Sequence, residues 1–261
     1  MTLTARTVFP TQPQALSETI ESLLREAHPD IVSGEIVALI VPDSNLLHVA
    51  PVAASAYKML RQRKDSFQTV TIVAPSHDGT FDRLTICRVN EYHTPLGAVQ
   101  VDDRVRNELC DEDDDIFVDD SGHYHTEGVD VQLPYLQRVL EDPFGVVPIV
   151  MGRETPAFCH ELGMAVGEVM YGQRMLLVAS ADLISMEEGA LDLFTAALEN
   201  FDTSSLMHLL ASEKILVEGM GAVITAVIAA QHRRANRARI LHLVPPVGDK
   251  IGGMACVLWR E

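Results

Sequence analysis

Polar side chains that could take part in catalysis or metal binding follow three apolar segments of strand length. These segments are Glu35–Val41, Thr69–Ala74 and Met175–Ala179. Asp43, His77 and Asp182 come shortly after them. In open α/β sheets, ligands bind outside the carboxyl ends of the strands, where neighbouring loops meet. We therefore expect one shared cleft that contains these three side chains, although an acid after a strand is also an ordinary turn or helix-capping residue.

A second group of potential metal ligands lies just before a predicted helix. His123, His125 and Glu127 alternate along the chain, so an extended backbone would place them on one side. Imidazole and carboxylate groups at this spacing suit zinc or iron. The alternative is a polar surface loop that leads into the helix, and the sequence leaves both interpretations open.

Glu218 precedes the segment Val223–Ala230, which is apolar on all sides and therefore predicts a buried helix. The glutamate either compensates the positive end of the helix dipole or faces the cleft. Gly219 and Gly221 follow it, but they come after no clear strand and lack the Gly-x-Gly-x-x-Gly pattern. We therefore do not expect a nucleotide site here.

The elements that must position these residues alternate between strands and helices. Further strands are predicted at Val146–Val150, Ile240–Val244 and Met254–Trp259. Helices are predicted at Glu18–Ala27, Val52–Leu60, Val129–Leu140, Ala157–Tyr171, Gly189–Asn200 and Met220–His232. This alternation predicts a single-domain α/β sandwich over residues 1–261, with a central sheet that is largely parallel or mixed and is flanked by helices.

Composition argues against several classes of function. The chain has 261 residues and a formal net charge of -17, so nucleic acid, which needs basic patches, is not expected as a partner. No apolar run reaches the roughly 20 residues that span a bilayer, so no membrane association is expected. The first residues lack the apolar core of a signal peptide, and the four cysteines contain no Cys-x-x-Cys pair. We therefore expect reduced thiols and a cytoplasmic location.

The order of short motifs along the chain resembles that of one protein family. The motifs are Ala5–Pro10, Ile40–Asp43, Val73–His77, Thr94–Gly97, Asp130–Gln137, Ser180–Asp182 and Gly253–Ala255. They are similar in sequence and order to those of the Memo-like proteins, also called AmmeMemoRadiSam system protein B. The resemblance covers nearly the whole chain. It implies an α/β fold related to the class III extradiol dioxygenases and a metal-binding cleft built from two histidines and a cysteine.

This sequence departs from the family's pattern at the metal positions. Asp43 aligns with the first histidine and Glu218 with the cysteine, whereas the second histidine is kept as His77. Two further histidines of the family align with Glu127 and Ser185. All but one of the replacements are acidic, so the resemblance leaves two main interpretations of the cleft.

One interpretation is a rebuilt metal site. Asp43, His77 and Glu218 would bind a divalent metal, with iron(II) favoured over manganese or zinc because carboxylates replace softer ligands. The protein would then be a non-haem, metal-dependent, dioxygenase-like oxidoreductase that acts on an unknown small molecule. His77 and Asp182 would be the catalytic residues, and His77 would also be the best candidate for a general base.

Other polar residues of the motifs would support the metal or face the substrate. They are Glu127, His125, Ser185 and Asp130, the last of which replaces a glutamate of the family. His125 could also supply a second imidazole to the metal. The partner would be a small molecule or a peptide, and the resemblance implies a functional link to a radical-SAM protein.

The alternative interpretation is that the metal has been lost, so that the protein binds no cofactor and acts as a catalytically silent binding or scaffold module. A third interpretation is a metal-independent acid–base enzyme that uses paired carboxylates. Clustered carboxylates repel one another unless a cation or a proton intervenes. If no metal binds, we therefore expect at least one of these acids to have a raised pKa.

Overall fold

The computed structural model describes residues 3–4, 9–44, 46–63, 66–112, 115–124, 127–212 and 214–261. The helices within these ranges are α1 (Pro13–Glu26), α2 (Ala50–Arg63), α3 (Asp103–Glu112), α4 (Glu127–Val139), α5 (Pro156–Val169), α6 (Ala190–Glu199), α7 (Thr203–Ala211) and α8 (Met220–His232). The strands are β1 (Leu3–Thr4), β2 (Glu35–Val41), β3 (Thr69–Pro75), β4 (Leu84–Ile86), β5 (Glu91–Thr94), β6 (Gly97–Gln100), β7 (Ile116–Val118), β8 (Gly145–Met151), β9 (Met175–Ser180), β10 (Asp182–Met186), β11 (Ile215–Glu218), β12 (Arg237–Val244) and β13 (Gly252–Arg260).

The described strands form one large mixed sheet and one small sheet. The large sheet is 10-stranded, with the order β11-β10-β13-β2-β9-β3-β8-β4-β7, and β12 is added through β13. Its central strands β2, β9, β3 and β8 are parallel, whereas the outer pairs are antiparallel apart from β4 with β7. The small sheet has the order β1-β5-β6. The predicted α/β sandwich with a largely parallel or mixed sheet is therefore confirmed, and the sheet is mixed.

The central strands are buried on both faces, which explains their continuous apolar sequences. In β2, Val37 and Ile40 contribute to one core, whereas Leu39 and Val41 contribute to the other. Helices α3, α5, α6, α7 and α8 pack on the first face, and α1, α2 and α4 pack on the second. Apolar side chains pack against both faces of these strands and make the sheet rigid. The residues that follow the carboxyl ends of the strands are therefore attached to a rigid edge.

The structure corrects the prediction at two positions that matter for the cleft. Asp182 is the first residue of β10 and not part of a loop. Gly219 does follow a strand, because β11 ends at Glu218. Both strands are short, and β11 lies at the edge of the sheet with Leu216 exposed, so neither gives the long apolar run of a buried strand. The helix α1 also begins earlier than predicted, at Pro13, since proline suits the first helical position.

Two findings within the described ranges bear on the simpler expectations. No helix there is long and apolar enough to cross a membrane. The four cysteines, Cys87, Cys110, Cys159 and Cys256, are unpaired. The cytoplasmic location and the assignment of residues 1–261 to a single domain stay predictions.

Candidate functional site

Three strand ends bring Asp43, His77 and Glu218 together. Asp43 follows β2 and His77 follows β3, and both strands run parallel to β9 between them, so their carboxyl ends lie at the same edge of the sheet. Glu218 is the last residue of β11. One potential ligand atom from each of the three side chains lies within 4.8 Å of the other two. We call these three residues the strand-end triad.

Glu218 reaches this edge through β10, which continues in the direction of β9 and pairs antiparallel with β13. The N–H of Ala181, the residue between β9 and β10, donates to the carbonyl of Val41 at 2.9 Å, which extends the pairing of β9 with the end of β2. Strand β10 then pairs antiparallel with β11, and Asp182 lies opposite Glu218 in their register. The acid that follows the third strand and the acid that ends β11 are therefore cross-strand neighbours.

His77 links the two carboxylates of the triad. Its Nε2 atom lies 2.9 Å from Oδ2 of Asp43 and 3.7 Å from Oε1 of Glu218. The hydrogen bond to Asp43 raises the pKa of His77 to about 9 although burial opposes it, and the charges of Asp43, Glu218 and Glu127 act in the same direction as the hydrogen bond. In the absence of a metal, His77 is therefore an imidazolium at neutral pH.

The side chain of Glu218 points towards the cleft. It is 42% exposed, compared with 21% for His77 and 3% for Asp43, so it forms the open side of the triad. Burial raises the pKa of Glu218, His77 lowers it, and the charges of Asp43 and Glu127 raise it. Contact with His77 places Glu218 in the cleft, which is one of the two roles that the sequence allowed.

The other role, at the N-terminus of α8, belongs to Glu154. Its carboxylate accepts hydrogen bonds from the backbone N–H of Gly219 at 3.0 Å and of Gly221 at 2.6 Å. Burial raises the pKa of Glu154 against the effect of these hydrogen bonds. Glu154 thus holds the turn that immediately follows Glu218, at the positive end of the helix dipole.

Asp43 is fixed through its backbone and closely approached by α4. Its N–H donates to Oδ1 of Asp182 at 3.0 Å. On the other side, a Cβ atom at Gly128 would lie only 2.1 Å from Oδ1 of Asp43. This Oδ1 atom is buried and has no hydrogen-bond partner among the described residues. A buried carboxylate oxygen without a partner carries a free-energy penalty that a bound cation would remove.

Asp182 lies behind the triad and supports Asp43. The residue is only 2% exposed. Burial, followed by the negative charge of Asp43, raises the pKa of Asp182 to about 6. Together with the raised pKa of Glu218, this agrees with the expectation that an acid of the metal-free cleft has a raised pKa. A catalytic role for Asp182 stays a prediction.

The donor set of the strand-end triad fits a divalent cation. Two adjacent ligands at 2.0–2.1 Å from an octahedral ion are about 3.0 Å apart. His77 Nε2 and Asp43 Oδ2 form a hydrogen bond of 2.9 Å, and a cation could take the place of its proton with little movement of the two atoms. Glu218 Oε1 lies farther from Nε2, at 3.7 Å, but belongs to the half-exposed member, which has room to adjust. One imidazole and two carboxylates suit iron(II), manganese or magnesium better than metals that prefer thiolate.

The structure places three further predicted residues around the triad in different ways. Glu127, at the start of α4, is exposed, and its charge contributes to the raised pKa of His77. Asp130 is buried, and its Oδ1 accepts a hydrogen bond from the hydroxyl of Tyr92 at 2.5 Å. Ser185 is exposed on β10, at a shift in the register with β11. Their contribution to substrate binding stays a prediction.

His123 and Glu127, which one interpretation of the sequence places in an extended row of ligands, lie in different surroundings. Glu127 is helical, because α4 begins there. His123 is buried, and its Nε2 atom lies 3.2 Å from the carbonyl oxygen of Thr85. Burial lowers the pKa of His123 to about 4, so the side chain is neutral at pH 7. His125 lies outside the described residues, so its proposed role as a second imidazole ligand is untested.

The cleft also depends on residues that the sequence patterns did not single out. Gln132 on α4 donates from Nε2 to the carbonyl of Pro42 at 2.9 Å and to Oγ of Ser180 at 3.1 Å. Its Oε1 accepts from the hydroxyl of Tyr57 at 2.8 Å. This buried network fastens α4 to the ends of β2 and β9, and no local pattern in the sequence indicates it.

Glu154, in contrast, lies at a position in the sequence that predicts a place in the cleft. It follows β8, which is the fourth parallel strand of the central sheet. The rule that singled out Asp43, His77 and Asp182, a polar residue shortly after a buried strand, applies equally to Glu154.

Comparison with known proteins identifies the family. The Memo-like proteins match residues 2–244 of this chain. A MEMO1 family protein of Ignicoccus hospitalis is 30% identical over 231 residues, which cover 85% of this chain and 80% of that protein. A MEMO1 family protein of Nitrosopumilus maritimus is 24% identical over 229 residues, which cover 85% of this chain and 82% of that protein.

A solved structure shares the fold at low sequence identity. The uncharacterized protein JW3007 from Escherichia coli K12 aligns with a TM-score of 0.59 and 13% identity, over 86% of this chain and 99% of that chain. At this identity the similarity shows the fold alone. The match over residues 2–244 confirms the resemblance carried by the sequence motifs. The chain belongs to the family of Memo-like proteins.

Proposed function

We propose that the strand-end triad binds one divalent cation and that the protein is a metal-dependent oxidoreductase acting on a small molecule. The observation that carries the metal proposal is the convergence of Asp43, His77 and Glu218, whose ligand atoms lie within 4.8 Å of one another. The unpartnered Oδ1 atom of buried Asp43 supports it further. The oxidoreductase class rests on the implied kinship with dioxygenases.

The choice of metal follows from the ligands. Two carboxylates and one imidazole without a thiolate favour iron(II) or manganese(II) over copper, with zinc as a further candidate. Such a cation would supply Lewis acidity when bound and, if it is iron(II), one-electron redox chemistry. Glu218 lies on the exposed side of the triad, so we expect a small molecule to approach from that side.

The chain's own residues then divide their roles. Asp182 holds Asp43 in place through the backbone N–H of Asp43. A His77 Nε2 atom that is bound to a metal has no lone pair left to accept a proton, so His77 cannot be ligand and general base through the same atom. Glu127, which is exposed and close enough to affect the pKa of His77, is then the carboxylate available to hold a proton.

A second candidate function is supported by the same geometry. The imidazolium of His77 between Asp43 and Glu218 compensates two carboxylates without any metal. A protein with this arrangement could keep the family fold as a binding or scaffold module for a small molecule or a peptide. The functional link to a radical-SAM protein is compatible with either function and rests on family membership.

Metal binding separates the two candidates. Protein purified without chelator is analysed for metal and then titrated anaerobically with iron(II), manganese(II) and zinc(II) while its thermal unfolding is followed. We expect near-stoichiometric binding and an increase in the melting temperature, since a cation that binds only the folded state stabilises it. His77→Ala should remove both effects.

His93→Ala is the matched control for this titration. His93 also lies beside a carboxylate, Glu91, at 2.8 Å, but it is on β5 in the small sheet and outside the strand-end triad. The control variant should bind the cation as the wild type does. Absence of metal and of stabilisation by all three cations in the wild type would refute the metal site and favour the scaffold function.

A further inference from the structure

A cleft of about 470 Å³ opens beside the strand-end triad. Glu218 belongs to both, and Ser76, which precedes His77 in sequence, lies in the wall of the cleft. This volume falls within the range of small-molecule sites, which combine apolar walls with a few polar groups. We call it the side cleft. The proposed cation site by itself assigns no function to the side cleft.

The wall of the side cleft away from His77 is apolar. It includes Ile184 on β10, Leu210 on α7 and Leu216 on β11. Leu216 is 56% exposed, so much of this apolar residue stays in contact with water and contributes little hydrophobic free energy to folding. Met151 and Val217 are buried and extend the apolar surface inwards. The side cleft can therefore remove the apolar part of a ligand from water.

The charges around the side cleft favour an anionic group at one place. Arg153 is the only basic residue among the described lining residues. Its Nη1 atom lies 3.1 Å from Oδ1 of Asp82, but both side chains are exposed, at 53% and 70%. Ion pairs of this kind contribute little to stability, so a ligand anion can replace Asp82 at small cost.

The acids of the side cleft are already engaged. Glu154 accepts two hydrogen bonds from the backbone of Gly219 and Gly221, at the positive end of α8. Oε1 of Glu218 lies 3.7 Å from Nε2 of His77. Both acids therefore have partners in the structure, and the guanidinium of Arg153 is the charge most available for recognition.

We propose that the side cleft binds a small amphipathic anion, with its apolar body against Ile184, Leu210 and Leu216 and its carboxylate or similar group at Arg153. The identification of this molecule as the substrate rests on the proposed metal-dependent function, because the side cleft opens at Glu218. Binding of the anion itself needs no metal.

Three probes of one shape test the charge preference. They are 2-naphthoate, the neutral 2-naphthamide and the cationic 2-naphthylmethylammonium, each titrated calorimetrically into the full-length protein freed of metal by chelator. A hydrogen bond to a charged group contributes enough for about a tenfold or larger difference in affinity. We therefore expect 2-naphthoate to bind about tenfold more tightly than the amide, and the ammonium probe to bind most weakly.

Two variants assign the binding to this cleft. Arg153→Gln should abolish the preference for naphthoate over naphthamide, whereas Leu210→Ser should weaken both probes equally. Arg104→Gln is the matched control, because Arg104 lies on α3, is 56% exposed and pairs with one carboxylate at 2.8 Å. The control should keep the preference. Circular dichroism verifies that each variant is folded.

The outcomes also separate this proposal from the metal site. Asp43→Asn, at a residue outside the wall of the side cleft, should weaken cation binding but keep the preference for naphthoate, so failure of metal binding alone would leave the side-cleft result intact. Equal binding of all three probes, tightest binding of the ammonium probe, or a preference that survives Arg153→Gln would overturn the proposed anion site.

Discussion

Two histidines of this protein, one half-buried and one buried, have surroundings that shift their pKa values in opposite directions. His77, at the strand ends, contacts Asp43 and Glu218, and its pKa rises to about 9. His123, in the loop before α4, contacts the carbonyl of Thr85, and burial lowers its pKa to about 4. The difference shows that a half-buried histidine in contact with carboxylates is held cationic, whereas a fully buried histidine against a backbone carbonyl is held neutral although the charges of nearby aspartates act in the opposite direction.

The largest expected effect comes from removing the charge of Asp43. Asp43→Asn keeps the shape of the side chain but takes away the carboxylate that raises the pKa of His77. We expect the pKa of His77 to fall from about 9 towards the usual value of about 6.5, and cation affinity to fall at least 100-fold. An NMR pH titration of the histidine ring protons measures the first effect, with His123 as internal control. An unchanged pKa for His77 would contradict the assignment of its cause to Asp43.

The same contact gives a sign to the pH dependence of stability in the metal-free protein. Because the pKa of His77 is higher in the folded state than in the unfolded chain, its stabilisation is present in full below about pH 6.5 and is lost as the pH rises to about 9. The shift corresponds to about 3 kcal/mol in the free energy of unfolding. Urea unfolding at several pH values should show this loss in the wild type but not in Asp43→Asn.

His123 should produce the opposite slope. Its pKa is lower in the folded state, so its contribution is present above about pH 6.5 and is lost as the pH falls to about 4, by up to about 3 kcal/mol. His123→Gln keeps a donor for the carbonyl of Thr85 but does not titrate. The acid side of the stability profile should therefore flatten in this variant, while cation binding stays as in the wild type. A variant with an unchanged acid slope would contradict the account.

A smaller effect is expected from crowding the triad without changing any charge. Gly128→Ala places a Cβ atom 2.1 Å from Oδ1 of Asp43, so the carboxylate or α4 must move. We expect a loss of about 1–3 kcal/mol in the free energy of unfolding together with weaker cation binding. Gly163→Ala on α5 is the control, because its Cβ would lie 2.7 Å from Cβ of Ile228, away from the triad. It should be destabilised but bind the cation normally.

The smallest predicted effect concerns the turn behind Glu218. Glu154→Gln removes the charge that two backbone N–H groups of Gly219 and Gly221 share. Mutation of residues that support metal ligands typically lowers metal affinity by about 10–100-fold. Because Glu154 contacts only the backbone that follows Glu218, we expect the lower end of this range, about tenfold weaker cation binding. The pKa of His77 should change little. Calorimetric titration of manganese(II) measures the affinity, and wild-type affinity in this variant would remove Glu154 from the account.

Much of the fold could be predicted because its central strands are apolar on both faces. The strand Glu35–Val41 and the helix Met220–His232 have the bounds that the sequence indicates. Strands at the edges, such as β11, could not be predicted in the same way, because they are short and have one exposed side. Their position depends on pairing with distant segments, and no local period in the sequence encodes that pairing.

The sequence predicts the residues of the candidate site that directly follow central strands. Asp43 and His77 follow from the polar residues after β2 and β3. The sequence leaves Glu218 open between a helix-dipole role and a place in the cleft, and the alignment with the family's cysteine favours the cleft. The role of Gly128 depends on a close approach between α4 and Asp43, and that approach exists only in three dimensions. Glu154 follows a parallel strand too, so the strand-end rule could have included it.

The most direct test of the central claim is a count of protons released when the cation binds. At pH 7.5 the metal-free His77 is almost fully protonated, and a metal ligand must be deprotonated. Anaerobic calorimetry with manganese(II) in buffers of different ionisation enthalpy should therefore report about one proton released per cation in the wild type. No comparable release should occur in His77→Ala. Binding without proton release, or a release that persists in His77→Ala, would contradict a cation at Asp43, His77 and Glu218.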